Sequence, residues 1–148
     1  MDTTFQQFLE HKQERIRPER ANLVERKQRW LESIDRLYSK VETFLQPYLK
    51  DGRIRLERED VTLRERLLGE YRVPKLRIWF VDAWVDLLPS GTFVMDALGR
   101  VDIRGIKGSR MLIERKWNEW VVLGRPPEDR EIELTQDYFE QLLMRFAA

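Results

Sequence analysis

The chain has 148 residues and a mass of 18.0 kDa, the size of one domain that buries a core without disulfides or a structural metal. With no cysteine and a single histidine, His11, it excludes thiolate metal sites, cysteine nucleophiles, Cys-His triads and multi-His metal centres. The 27 basic and 26 acidic side chains leave a formal charge of +1, so no overall field draws the protein to nucleic acid or to an anionic membrane.

The opening MDTTFQQFLEHKQER places Asp2 where an export signal carries positive charge, and no apolar run follows. No stretch reaches the roughly 18 to 20 apolar residues of a membrane span. These features predict a cytosolic protein without membrane segments.

Residues 1–50 are written in a helical period. Phe5, Phe8, Leu9 and Ile16 make a short amphipathic piece ahead of Pro18, expected as a helix of its own that folds back as a hairpin or reaches a second chain. From Pro18 to about Leu49, Leu23, Trp30, Leu37 and Phe44 recur every seven residues, with Ile34, Val41 and Tyr48 interleaved. Val24, Leu31, Tyr38 and Leu45 widen this stripe into a face suited to packing on a sheet. Pro18 fits a helix's first turn and Asp51-Gly52 its end.

After Gly52 the period drops to two. Ile54 and Leu56, Val61 and Leu63, Val101 and Ile103, and Ile132 and Leu134 alternate with polar residues as half-buried strands do. Further strands are expected at 76–81, 84–88, 92–95, 111–113 and 120–123, with turns at Pro89-Ser-Gly91, Leu98-Gly99, Lys107-Gly-Ser109 and Trp117-Asn118. Connections this short hold no crossover helix, so successive strands pair antiparallel. Arg125 to Arg130 reads as a loop. Thr135 then caps a last helix whose apolar face is Tyr138, Phe139, Leu142, Leu143 and Phe146.

The predicted fold is α+β: N-terminal helices packed on a curved antiparallel β-meander, with a C-terminal helix. It forms one domain, 1–148, divided at 50 and 134. Trp30, Leu37, Val41, Phe44, Val101, Ile103, Leu112, Leu142 and Phe146 are the expected core. Leu68-Gly-Glu-Tyr71, Leu88-Pro-Ser-Gly-Thr92 and Gly99-Arg-Val-Asp-Ile103, set between a Trp-containing helix and a terminal helix, resemble small bacterial proteins of this layout. The resemblance implies the fold and carries no activity.

Three chemistries compete. Asp102 followed by Glu114-Arg-Lys116 resembles the D…ExK core of the PD-(D/E)xK nucleases. The resemblance implies Mg²⁺ ligation by Asp102 and Glu114, with Lys116 beside the attacked phosphate. Glu114 and Lys116 would share one side of a strand, with Asp102 on its hairpin partner. The departure is the turn at Trp117-Asn118, where that fold carries a helix. The plainer reading places Arg100, Asp102, Arg104, Glu114 and Lys116 on a solvated sheet face.

Secondly, 20 arginines against 7 lysines alternate along strands, as at Arg53 and Arg55, Arg64 and Arg66, and Arg100 and Arg104. With Trp79, Trp84, Trp117 and Trp120 they could form a platform that stacks single-stranded bases. Residues 51–148 nevertheless carry 17 bases against 18 acids, so cross-strand pairing with Glu57, Glu59 and Glu65 accounts for the pattern, and nucleic acid is not the expected partner. Asp82, Asp86 and Asp96 lack the partners of an acid and base pair. Nucleotide-binding and serine-esterase motifs are absent.

Thirdly, the amphipathic N-terminus can lie in another protein's groove or pair with itself. With no catalytic signature, the expectation is a non-catalytic cytosolic binding or accessory protein acting through protein contacts, with a homodimer as one form. No cofactor is expected, and Mg²⁺ enters only with the nuclease reading.

Overall fold

A computed structural model describes residues 4–92, 97–124 and 130–147, and describes side chains outside 11–21. The N-terminal half forms one helix, α1 (Phe5–Lys50), of 46 residues. Thr4 opens it with a capping box, its hydroxyl accepting from the Gln7 N–H while the Gln7 side chain accepts from the Thr4 N–H. The expected break at Pro18 is corrected, because the helix runs through it. Proline removes one N–H from the ladder, and the turns on either side of it still close.

The remainder is a meander of β1 (Ile54–Glu65), β2 (Gly69–Phe80), β3 (Ala83–Gly91), β4 (Gly99–Gly105), β5 (Gly108–Lys116), β6 (Glu119–Leu123) and β7 (Glu131–Glu133). They form one open antiparallel sheet in chain order. The helix α2 (Gln136–Ala147) follows, and the Thr135 hydroxyl accepts from the Tyr138 N–H at its start. The fold is therefore α+β, as the change of period implies. The two pieces expected around Ile54 and Val61 are one continuous strand. The strand expected at 92–95 and the loop from 125 fall largely outside the described residues.

One face of the sheet is covered by helices. Trp30, Ile34, Leu37, Tyr38, Val41 and Leu45 of α1 pack on Val85, Leu87, Val101, Ile103, Leu112 and Val122. Beside them α2 contributes Phe139, Leu142, Leu143 and Phe146. Every expected core residue is buried except Phe44, which is half-buried against the Phe139 ring at 5.9 Å.

The contact between α1 and the sheet depends on two local devices. Beyond Leu76 the β2–β3 ladder stops, since the same register would set Pro74 against Pro89 and neither has an N–H to give. The Tyr38 hydroxyl enters there and donates to the Pro74 carbonyl at 2.5 Å and the Leu87 carbonyl at 3.3 Å. From that point β1 and β2 continue as a two-stranded ribbon. Two-stranded ribbons twist more than wide sheets, and the buried positions change phase accordingly, from Leu76 and Ile78 to Val73 and Tyr71.

The second device is Gly99. Any Cβ there would stand 2.1 Å from the Trp30 ring, so the glycine lets the indole lie directly on the sheet.

Candidate interaction surface

Register decides what the nuclease-like residues can do together. Gly99 pairs with Glu114 and Asp102 with Met111, so the two carboxylates stand three residue pairs apart, about 10 Å along the ladder. An odd offset also places them on opposite faces of the sheet. Asp102 lies on the face away from the helices and takes both Nε and Nη2 of Arg100, at 2.9 and 3.3 Å.

Glu114 points the other way and is 1% exposed, which corrects the expectation of a solvated side chain. Its Oε2 accepts from the Asn118 N–H at 3.0 Å, and the Ser33 hydroxyl on α1 also bonds to it. Burial raises the Glu114 carboxyl above its ordinary value, while these bonds and the charges of Arg36 and Lys40 pull it partly back. Lys40 in turn donates to the Asn118 carbonyl at 3.4 Å, and Asn118 holds the turn with φ of 61°. Glu114 thus fastens the β5–β6 turn to α1. A bulge between Glu114 and Lys116 leaves Lys116 exposed and opposite Glu119. Among the described residues no three potential metal ligands converge.

The aromatic platform is also divided. Trp79 and Trp84 are cross-strand partners on the face away from the helices. Arg77 lies 4.2 Å from the Trp84 ring and 5.3 Å from the Trp79 ring, held by a bidentate pair with Asp86 at 2.7 and 2.9 Å. Arg55 stands over Trp79, and the Trp79 indole donates to Glu57. The ring faces that would stack bases are met by the protein's own guanidinium groups, and Asp86 balances the charge of Arg77. Trp117 lies under Arg36 of α1, and Trp120 is buried against Trp30. Asp82 sits in the β2–β3 turn, whereas Asp96 and the His11 side chain lie outside the described residues.

Exposed apolar side chains stand at both ends of α1. Described α1 residues ahead of Arg26 are exposed, apart from half-buried Leu23, and they include Phe5 at 74% exposure, Leu9 and Val24. Arg26 reaches the Thr92 carbonyl and Lys27 covers the Tyr71 ring. By helical rise, the segment 5–25 is about 30 Å long.

At the far end, the β2–β3 and β4–β5 turns expose Val81 to 96% and Ile106 to 78%. Turns there normally carry Gly, Asn or Asp. Between the C-terminal end of α1, the β2–β3 turn and α2 lies a groove of about 590 Å³. Leu45, Tyr48, Ile54, Phe80, Leu143 and Met144 line it, with Asp82 and Glu140 among its charged groups.

Val81 is expected at the end of a strand, and local periodicity singles out neither Ile106 nor Met144. The available signal was a pair of turns with a β-branched residue where small polar ones serve best. No helix among the described residues is long and apolar enough to cross a membrane. Comparisons with protein-family models, with curated proteins and with solved structures find no match to this chain.

Proposed function

We propose that this protein is a non-catalytic cytosolic binding or accessory protein that acts through protein–protein contacts made by the first half of α1. The observation that carries this reading is the exposure of the apolar side chains Phe5, Leu9 and Val24 in the first half of α1. A helical segment of about 20 residues gains little stability in isolation, so its apolar side chains add most when another surface covers them. Neither alternative has comparable support. Asp102 and Glu114 face away from each other, and Trp79 and Trp84 are engaged by Arg77 and Arg55.

The test is affinity capture from the native host with the wild type and with a Phe5→Asp/Leu9→Asp variant. Both substitutions lie at exposed positions, so the variant keeps its fold by circular dichroism. A protein, or a second copy of this chain, recovered by the wild type and lost in the variant supports the reading. Equal recovery by both, or none by either, refutes it.

A further inference from the structure

The last turns of both helices meet beside the β2–β3 turn, at the end of α1 away from Phe5 and Leu9. We infer that the groove they enclose is a binding site for a small organic cation, a single ammonium or guanidinium group carried on an apolar body. The site is independent of the contact made by the first half of α1.

Size and lining set the apolar part of the ligand. A volume of about 590 Å³ lies in the range that holds one drug-sized molecule. Leu45, Ile54 and Leu143 form its buried lining, and Tyr48 and Phe80 supply half-buried aromatic rings. Val81 and Met144 also line it and are left 96% and 66% exposed, so an apolar body seated there removes from water surface that the fold itself does not cover.

Charge sets the other part. Three charged side chains line the groove: Arg53, Asp82 and Glu140. Arg53 is already committed, since its Nε donates to Asp51 Oδ2 at 2.7 Å and its guanidinium stands 5.1 Å over the Tyr48 ring. Asp82 and Glu140 form no ion pair among the described residues, and Glu140 accepts from the neutral Gln136 amide at 3.4 Å.

The helices add to these carboxylates. The C-terminus of each carries the partial negative charge of its last carbonyls, and Tyr48 of α1 and Ala147 of α2 bring both termini to the groove. Lys50 and Arg145 occupy the same two turns without lining it. An anion entering here would meet two free carboxylates and an arginine already paired. A divalent metal lacks ligands, because no three potential ones converge among the described residues. A monocation whose apolar body reaches the floor of the groove answers both the charge and the lining.

Three probes of nearly one shape separate the two contributions: 4-phenylbutylamine, cationic at neutral pH, 4-phenylbutanol, uncharged, and 4-phenylbutyrate, anionic. Each is titrated into the full-length protein, with amide shifts in nitrogen-15-labelled protein locating the site and calorimetry giving the Kd. The amine should shift amides within 45–54, 80–83 and 140–147. It should bind at least about tenfold more tightly than the butyrate, since two carboxylates attract the one and repel the other, with the alcohol between them. Asp82→Asn, at an exposed turn position, should weaken the amine at least about threefold and leave the alcohol unchanged, a split that loss of structure does not produce.

No saturable amine binding below about 10 mM, or shifts confined to other residues, overturns the inference. So does a butyrate that binds as tightly as the amine, or an Asp82→Asn variant that weakens amine and alcohol alike or neither. Saturation of the same amides by a basic apolar peptide, with none by the amine, overturns it as well and assigns the groove to a protein ligand.

Discussion

Replacing Gly99 with alanine tests how α1 is seated on the sheet. The added Cβ would lie 2.1, 2.5 and 2.8 Å from three carbons of the Trp30 six-membered ring. Carbon atoms settle at about 3.5 Å or more, so the ring or the strand has to retreat by about 1.4 Å. Trp30 has little room to do so. It is buried on α1, its ring centroid is 6.5 Å from that of Trp120, and Tyr71 is buried in the same cluster. Overpacking of this kind costs about 1–3 kcal/mol where the core can adjust, and Gly99→Ala should fall at the upper end, near 3 kcal/mol. Urea unfolding monitored by tryptophan fluorescence and circular dichroism gives the number. Trp30→Leu removes the clashing ring, so in the double variant the alanine should cost less by at least about 1 kcal/mol, a coupling typical of residues in contact. A loss below about 0.5 kcal/mol for Gly99→Ala, or strict additivity in the double variant, would refute this seating of α1.

Three other outcomes follow from the same packing. Leu37→Ala opens a cavity beneath α1 and should cost about 2–5 kcal/mol in urea unfolding, and a smaller loss would place that stripe against solvent. Tyr38→Phe leaves the Pro74 and Leu87 carbonyls without their donor and should cost about 1–3 kcal/mol, whereas a neutral change would show that the wedge between β2 and β3 adds nothing. Because burial raises the Glu114 carboxyl, the folded protein keeps that proton to higher pH than the unfolded chain does. Its contribution is therefore most favourable below the ordinary 4.5 and diminishes as pH rises through the raised value. Relative to Glu114→Gln, the wild type should lose stability across that window, and parallel stability curves from pH 4 to 8 would contradict the burial of this group.

Local periodicity dictates the elements and most of the core. A seven-residue recurrence through Trp30, Leu37 and Phe44 can bury one face only as a helix, and the alternation at Val101 and Ile103 only as a strand, so those assignments needed no tertiary information. Short connections likewise dictated antiparallel pairing. Pro18 misled, because a single proline removes one hydrogen bond from a helix, and whether the chain bends there depends on what the neighbouring turns gain.

Register and the second face were decided only in three dimensions. Along β4 and β5 every pairing alternates sides equally well in one dimension, and a shift of one residue would have put Asp102 and Glu114 on the same face. The observed pairing sends Glu114 beneath α1 and leaves Asp102 on the other side with Arg100. The four tryptophans of the presumed platform were separated for the same reason, since β2–β3 turns Trp79 and Trp84 outward while Trp120 on β6 faces Trp30. The apolar surface around Val81, Ile106 and Met144 exists only because two hairpin turns and the end of α2 meet at one end of the sheet. Residues that distant in the chain share a surface by topology, which local periodicity does not encode.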